Sequence, residues 1–332
     1  MSGMKKIASI TGVSVSTVSN VLNGRSNVGQ ATKERVLQVA AEHGYYPRTP
    51  RNPVREHTSK TVVFIFSDFD REFYLKIING ISDCLSENGY DLIICTSKSG
   101  ANFMRSSFAC GGIVLDSSIK DDFVSAVAVP DFPVVLMDRI LADATANTKS
   151  VIVDNYPVMC ELAQDLVDKG FRKFGFIGGL EFTLDNKERF SALVDTLAKN
   201  RIEFDRKNYF HGNYREKSGY QAAKLMILSN DLPEVVVCAN DNMALGAIKA
   251  FKENGIRVPE DIAVTGFDDS EAAAMAGLTT VSIPRYESGY LAAKELLEII
   301  EGEARREPFK LTATSVKWRK SVKSPQFNGL NQ

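Results

Sequence analysis

From residue 61 onward the chain alternates short, mainly apolar segments with longer amphipathic ones. The apolar segments end in polar residues, as buried parallel strands do, and they cover residues 61–68, 91–97, 111–116, 133–139, 151–155, 171–179, 235–241 and 261–269. The amphipathic segments repeat apolar residues at helical spacing over 73–90, 156–169, 185–200, 216–229 and 242–254. This order predicts an α/β protein with doubly wound parallel sheets. About 13 residues, 98–110, separate the second and third strands, so we expect a shortened or partly unravelled crossover there.

The first 46 residues follow a different pattern, which predicts a small, all-α helix-turn-helix unit. Two short helices within 4–23 flank a turn at Gly12, and Ser14 is placed to cap the second helix. A third helix is expected within 27–44. Each helix has an apolar face made of residues at helical spacing: Ile7, Ala8 and Ile10; Val18, Val21 and Leu22; Val36, Val39 and Ala40.

The exposed start of the second helix carries small or polar side chains and no acidic charge. Such a surface suits entry into the major groove of DNA, where hydroxyl and amide groups meet phosphates and base edges. We predict base contacts for Val15, Ser16 and Asn20, and phosphate contacts for Thr17, Ser19 and Asn23. On the helix-turn-helix pattern alone, a helical hairpin inside a larger core remains the alternative.

Charge is distributed unevenly along the chain. The net charge of all 332 residues is −1, but the segment up to Lys60 contains nine lysines and arginines against three glutamates. This segment therefore carries about +6, and the remainder carries about −7. A basic head on a mildly acidic body is typical of a protein whose head alone contacts nucleic acid.

The cysteines, histidines and glycines argue against other classes of protein. The five cysteines are scattered without a CxxC pair, and they are expected to be small buried side chains in a reducing compartment. His43, His57 and His211 have neither metal-ligand nor Ser/His/Asp spacing, and no Walker or G-x-G-x-x-G loop is present. We therefore expect no enzyme activity, no cofactor and no metal. The absence of a signal peptide and of an apolar run of about 18–20 residues favours the cytoplasm.

Several motifs together resemble the LacI-type repressors, the lactose and purine repressor family. The pattern I-A-x-x-x-G-V-S-x-x-T-V-S-x-V-L-N starts at Ile7, and Gly44-Tyr45-Tyr46-Pro47 follows it. Further along, R-F-S-A-L starts at Arg189, C-A-N-D-N-M-A-L-G-A at Cys238 and T-G-F-D-D at Thr265. The resemblance implies a homodimeric transcriptional regulator with a ligand-gated, two-lobed, periplasmic-binding-protein-like core.

The resemblance also implies domain boundaries. The headpiece is expected to span 1–46, the hinge linker 47–60, the core 61–325 and a tail 326–332. Within the core, the N-terminal lobe should hold about 61–155 and 287–312, and the C-terminal lobe about 156–284 and 313–325. The tail lacks a leucine heptad, which favours a dimer over a tetramer.

The linker departs from the family pattern, which is a hinge helix of sequence Asn-x-x-Ala-Arg-x-Leu whose leucine enters the minor groove. An ungapped match replaces its four defined residues with Arg48, Arg51, Asn52 and Val54. Pro50 and Pro53 disfavour a helix, since an interior proline costs about 3 kcal/mol. Two alternatives remain open. One is a solvated spacer. The other is an extended arm that reaches phosphates or a narrow minor groove through Arg48, Arg51 and Arg55. In either case Val54 is a shorter wedge than the leucine of the family pattern.

Ligands of open α/β sheets bind outside the carboxyl ends of the strands, so the polar residues at strand ends are candidates. The resemblance implies that the following residues line an effector cleft: Phe73, Thr183, Asp185, Arg189, Tyr214, Asn240 and Asp268. Asn240 could instead cap a helix, Arg189 could be an internal ion-pair partner, and the aromatic residues could be packing groups. One guanidinium, several carboxylates, an amide and aromatic rings favour a neutral sugar, although a purine remains possible.

The predicted function is a DNA-binding transcriptional regulator, expected to repress, with a near-palindromic operator, a small-molecule effector and a second copy of itself as partners. Two alternatives stay open. One is a regulator gated by a phosphorylated carrier protein that docks on the core. The other is a transport-type solute-binding protein, which the basic head and the lack of an export signal disfavour.

Overall fold

The structure is a computed structural model that describes residues 3–22, 28–42, 60–67, 73–105, 108–302, 309–312 and 315–323. Its α-helices are α1 (Gly3–Thr11), α2 (Val15–Leu22), α3 (Gln30–Glu42), α4 (Phe73–Glu87), α5 (Ser97–Arg105), α6 (Asp121–Val127), α7 (Asn155–Asp168), α8 (Leu184–Lys199), α9 (Glu216–Leu228), α10 (Asp241–Glu253), α11 (Glu271–Ala276) and α12 (Arg285–Glu301). Its strands are β1 (Thr61–Ile65), β2 (Asp91–Cys95), β3 (Gly111–Val114), β4 (Val134–Leu136), β5 (Thr148–Asp154), β6 (Phe174–Gly178), β7 (Tyr209–His211), β8 (Val235–Cys238), β9 (Ala263–Thr265), β10 (Thr280–Ser282), β11 (Phe309–Thr312) and β12 (Ser315–Lys317).

Helices α1 to α3 form a headpiece with its own core. The buried side chains of that core are Ile7, Ala8, Val18, Val21, Leu22, Val36 and Ala40. The Arg35 guanidinium donates a hydrogen bond of 2.6 Å to the Thr11 carbonyl, which ties α3 to the end of α1. The prediction of a buried apolar face is wrong for one residue. Ile10 is 52% exposed, because α1 turns it away from the other two helices.

The first lobe is built on a six-stranded parallel sheet with the strand order β11–β5–β4–β3–β1–β2. Alternate residues of β1 face opposite sides of this sheet. Val62 and Phe64 belong to the same core as α4 and α12, whereas Val63 and Ile65 belong to the core that includes α5 and α6. Since helices cover both faces, the strand is apolar throughout. The crossover at 98–110 contains a helix, α5, of nine residues.

The second lobe holds a four-stranded parallel sheet with the order β7–β6–β8–β9. Helices α7 to α10 enclose it in one core, in which Phe176 and Phe251 are among the largest fully buried side chains. Strand β10 runs beside the end of β9, and the Asp268 N–H donates to the Val281 carbonyl at 2.8 Å. Strand β12 pairs antiparallel with β10.

In each lobe one pair of helices is in backbone contact through glycines. These glycines are Gly80 of α4 and Gly289 of α12 in the first lobe, and Gly219 of α9 and Gly246 of α10 in the second. A Cβ atom added to any of the four would lie 2.0 or 2.1 Å from a backbone oxygen of the partner helix. Any larger residue would force these helices apart.

Two connections between the lobes lie within the described residues. The first joins β5 to α7 at Asp154 and Asn155, and the second joins β10 to α12 through Ile283 and Pro284. The headpiece and the doubly wound, two-lobed α/β core confirm the predicted fold class. No helix among the described residues is long and apolar enough to span a bilayer.

Candidate functional site

The second headpiece helix presents a small, polar surface at its N-terminal end. The Ser14 hydroxyl accepts a hydrogen bond of 3.0 Å from the Thr17 N–H, which confirms the predicted cap. The same hydroxyl is 2.7 Å from that of Ser16 and 2.8 Å from that of Thr17. Val15 and Ser16 are exposed, and Thr17, Ser19 and Asn20 are half-buried, so all five predicted DNA-contacting residues of this helix reach the surface.

The other predicted DNA-contacting residues lie outside the described part of the chain. They are Asn23, Arg48, Arg51, Val54 and Arg55. Their assignment therefore stays a prediction, and so do the two alternatives for the linker.

A cleft of about 620 Å³ lies between the two lobes of the core. Five of the predicted effector residues line it: Thr183, Asp185, Arg189, Tyr214 and Asp268. The sixth, Phe73, begins α4, and its side chain is not among the described ones. The seventh, Asn240, lies behind the wall of the cleft. The strand ends thus do meet at one place, as in other open α/β sheets.

Arg189 is held from three sides and is only 4% exposed. Its Nε and Nη2 atoms donate to the Asn155 side-chain oxygen at 3.0 and 2.8 Å, and its Nη1 donates to the Ala239 carbonyl. The guanidinium carbon lies 3.7 Å from the centre of the Phe267 ring, which adds a cation–π contact. The nearest carboxylate, that of Asp185, is 3.9 Å away. The main partner of this cation is therefore a neutral amide.

Tyr214 packs tightly into the C-terminal lobe. Its backbone φ is +64°, in the left-handed region, and its hydroxyl is 2.8 Å from that of Thr183. A Cβ atom on Gly179 would lie 2.0 Å from the Tyr214 ring, so the glycine makes room for it. Burial, and then the charge of Asp185, raise the pKa of Tyr214 to about 12. The exposed ring at the cleft belongs instead to Phe182, which is 63% exposed and was not predicted.

Asn240 caps helix α10 and supports Tyr214. Its side-chain oxygen accepts from the Met243 N–H, and its amide donates to the Tyr214 carbonyl, both at 3.0 Å. At 2% exposure it offers no surface to a ligand. The structure therefore corrects its predicted role from a group that lines the cleft to one that holds the lining in place.

The wall around Asp268 contains strained backbone and buried charge. Asp268 has φ of +121°, a conformation that non-glycine residues rarely adopt and that is concentrated at functional sites. Its carbonyl accepts a hydrogen bond from Arg285, the first residue of α12. Behind it, burial and then the charge of Asp268 raise the pKa of Asp241 well above the usual value of an aspartate. This corner joins the C-terminal lobe to the helix that returns to the N-terminal lobe.

The N-terminal lobe contributes charged residues that the prediction of site residues missed. Asp116 and Asp138 each lie two residues beyond a strand, β3 and β4, and a systematic list of strand ends would have included them. One Arg139 nitrogen lies 2.8 and 2.9 Å from the two carboxylate oxygens of Asp138, and another bonds Asp121 at 2.6 Å. Ser67, after β1, donates to Asp116.

Positive and negative side chains balance along the cleft. Five are aspartates, namely Asp116, Asp121, Asp138, Asp185 and Asp268, and five are cations, namely Lys120, Arg139, Arg189, Arg215 and Arg285. Among the described residues, no cluster of three or more His, Cys, Asp or Glu side chains could hold a metal ion. The arrangement offers hydrogen-bond acceptors and donors in equal measure, without a net charge to attract an ion.

A helix-turn-helix unit followed by a two-lobed core with a cleft between its lobes defines a DNA-binding regulator with a ligand-binding core. Comparison with known proteins agrees. Residues 3–48 match the family described as bacterial regulatory proteins, lacI family, and residues 163–322 match the periplasmic binding protein-like domain. The chain belongs to the LacI family of transcriptional regulators, which confirms the family and the class of function predicted from the sequence.

Three similar proteins illustrate the extent of the match. The transcriptional regulator RegA of Clostridium saccharobutylicum is 29% identical over 92% of this chain and 94% of its own. The repressor PurR of Mannheimia succiniciproducens is 27% identical over 97% and 99%. The solved complex of the regulator CelR with cellobiose is 27% identical, with a TM-score of 0.73 over 96% of this chain and 99% of that one. The similarity thus covers headpiece and core together.

Proposed function

We propose that this protein binds a near-palindromic operator as a homodimer and represses transcription, and that a neutral sugar bound in the cleft changes its affinity for that operator. In the proposal Val15, Ser16 and Asn20 contact bases, and Thr17, Ser19 and Asn23 contact phosphates. Two such helices must lie about one turn of DNA apart, or a multiple of it, to reach both half-sites. The protein acts where the operator is, in the cytoplasm.

The balance of charge in the cleft carries the choice of a neutral ligand. The guanidinium of Arg139 is already bonded to two aspartates, and that of Arg189 to an amide and a carbonyl. A phosphate or carboxylate would have to displace these partners and approach several aspartates. Sugar hydroxyls can donate to those aspartates, and the exposed ring of Phe182 suits the apolar face of a sugar. Similarity to the CelR–cellobiose complex makes cellobiose the first sugar to test.

The proposed mechanism is a shift between two arrangements of the lobes. A ligand that contacts both walls of the cleft binds one arrangement more tightly and so increases its population. The angle between the lobes sets the separation of the two headpieces in the dimer, and this separation decides how well they fit the operator. The direction of the change, induction or corepression, depends on which arrangement fits.

A thermal-shift screen tests the proposed ligand class. Cellobiose, D-ribose and other neutral sugars are compared with sugar phosphates and with purines. A bound neutral sugar at about 100 times its Kd should stabilise the protein by about 2.7 kcal/mol. Stabilisation by sugar phosphates or purines alone would refute the proposal of a neutral sugar.

Operator binding is tested by selecting sites from random DNA and measuring affinity at several salt concentrations. A near-palindromic site with salt-dependent affinity is expected, and the absence of any preferred site would refute the proposal. A sugar that changes this affinity without a second protein argues against gating by a carrier protein. Sedimentation of the full chain should give a dimer, and a tetramer would contradict the predicted assembly.

A further inference from the structure

Asn155 occupies the point where the chain first crosses from one lobe to the other. It follows Asp154, the last residue of β5 in the first lobe, and it is the first residue of α7 in the second. It is wholly buried, at 0% exposure. A fully buried amide at such a junction needs partners for its oxygen and for its nitrogen.

Both ends of the Asn155 side chain are engaged, and by groups of opposite charge. Its oxygen accepts from Nε and Nη2 of Arg189 at 3.0 and 2.8 Å. Its nitrogen, which has two protons to donate, lies within hydrogen-bond distance of three acceptors: the Asp185 carboxylate at 2.9 Å, the Glu188 carboxylate at 3.2 Å and the Val153 carbonyl at 3.1 Å. An amide can serve a cation and two carboxylates at once because it is both acceptor and donor. An aspartate at this position could accept from the guanidinium but could not donate to the carboxylates, and an alanine could do neither.

These partners belong to the first turns of α8, which face the cleft. Asp185 and Arg189 line the cleft, one turn apart on the same helix, at a distance of 3.9 Å between nitrogen and oxygen. The amide of Asn155 hydrogen-bonds both side chains, and they are themselves within ion-pair distance of each other. The remaining contacts of Arg189, with the Ala239 carbonyl and the Phe267 ring, fix the other side of its guanidinium.

We propose that Asn155 is a positioning residue of the effector cleft, whose amide fixes the guanidinium of Arg189 and the carboxylate of Asp185 and fastens both to the crossover between the lobes. The inference deepens the proposed function and rests on it for the role of the cleft. The positions of the two side chains, however, can be measured without any effector.

The test compares Asn155→Ala and Asn155→Asp with a matched control. The control is Asn200→Ala, because Asn200 bonds Gln164 at 2.7 Å and so links the same two helices, α7 and α8, at the end away from the cleft. The readout is the exchange rate of the Arg189 Nε–H proton, followed by ¹⁵N NMR on the full chain and assigned by the loss of its signal in Arg189→Lys.

Asn155→Ala removes the acceptor, so the Nε–H proton should exchange at least about tenfold faster than in the wild-type protein. Asn155→Asp keeps the acceptor and should remain within about threefold of the wild type, as should Asn200→Ala. Equal exchange in Asn155→Ala and the wild type would overturn the inference, as would fast exchange in Asn155→Asp. If Asn155→Ala does not fold, Asn155→Leu takes its place, because leucine is close to asparagine in size and lacks the acceptor, and the same expected rise and the same refuting result apply.

A second measurement separates this inference from the proposed function. Cellobiose and D-ribose are titrated into the wild type and the same variants by calorimetry. A sugar that binds the wild type should bind Asn155→Ala about tenfold more weakly and Asn200→Ala with unchanged affinity. If neither sugar binds the wild type, the choice of those sugars fails, whereas the exchange rates still decide the role of Asn155.

Discussion

Replacing Asp138 with asparagine should change how the stability of the protein depends on pH. Asp138 lies just beyond β4 in the wall of the cleft, and its side chain is 17% exposed. Burial raises its pKa from 3.8 to about 6, against the opposing effect of Arg139. The asparagine variant keeps the shape of the side chain and an oxygen for Arg139, but it has no proton to lose.

The sign and size of the effect follow from this shift. Between pH 4 and pH 6 the folded protein holds a proton that the unfolded chain has released, so the stability of the wild type falls as the pH rises through this window. Above pH 6 both states have lost the proton and the contribution is constant. A shift of about 2 pKa units corresponds to about 3 kcal/mol. Relative to the wild type, the variant should therefore gain up to about 3 kcal/mol between pH 4 and pH 7.

Urea unfolding followed by far-UV circular dichroism, at half-unit steps from pH 4.5 to 7.5, measures this difference. A matched control is Asp261→Asn, because Arg257 lowers the pKa of that carboxyl to about 2. Asp261 is ionised in both states above about pH 5, so its variant should differ from the wild type by a constant amount across the upper part of the range. A constant difference for Asp138→Asn as well would refute the argument from burial.

Three further predictions concern the headpiece and the cleft. Ser14→Ala should destabilise the headpiece by about 1 kcal/mol, measured by calorimetric unfolding, because the Thr17 N–H loses its acceptor. Asn20→Ala should relax the preference at one base position by about 1–3 kcal/mol in a binding assay on all single-base variants of the selected operator. Gly179→Ala should weaken sugar binding at least about tenfold, measured by calorimetry, because its Cβ would lie 2.0 Å from the Tyr214 ring and overpacking of this kind costs about 1–3 kcal/mol.

Each of the three has an outcome that contradicts it. An unchanged headpiece transition in Ser14→Ala would mean that water replaces the cap without loss. Uniform weakening across all operator variants would move Asn20 from base to phosphate contacts. For the cleft, the neighbouring variant Gly178→Ala is the control, since its Cβ would meet Tyr209 and not Tyr214. Equal loss of sugar affinity in both glycine variants would indicate general damage to the lobe.

The elements that the sequence predicts well are those with a long apolar repeat. Helices α7 to α10 lie within one residue of their predicted bounds, because their periodicity extends over 13 to 16 residues. Strands β7, β10 and β12 have three residues each and were not predicted. A three-residue segment has too little pattern to distinguish a strand from a loop, and its pairing depends on a neighbour that is distant in sequence.

Residues of the candidate site that are placed by strand ends could be predicted from the sequence. Residues that are placed by tertiary contacts were missed. Asp268 follows the end of β9 and lines the cleft, whereas Tyr214 follows the unpredicted strand β7 and was proposed from the family resemblance. Asp138 obeys the same rule and was missed because no family motif drew attention to it. Asn155 carries no local signal at all, since its role depends on side chains 30 and 34 residues away. The exposure of Ile10 likewise depends on how three helices pack together, which the apolar repeat of α1 alone does not determine.

In the proposed function, the partners of Arg189 would connect ligand binding with the movement of the lobes. Asn155 begins the crossover from β5, Ala239 follows β8 and Phe267 follows β9, so the guanidinium is held by three segments at once. These partners are two neutral acceptors and a ring, and the nearest carboxylate, that of Asp185, is 3.9 Å away. A ligand hydroxyl that replaced one of the neutral acceptors would gain a charge-assisted hydrogen bond. On this proposal, a ligand that displaces the guanidinium would also displace Asn155 and hence the crossover, since the interior is densely packed. The proposal therefore predicts that ligand specificity can change through exposed residues such as Phe182, while Arg189 and Asn155 keep the connection between the cleft and the lobes.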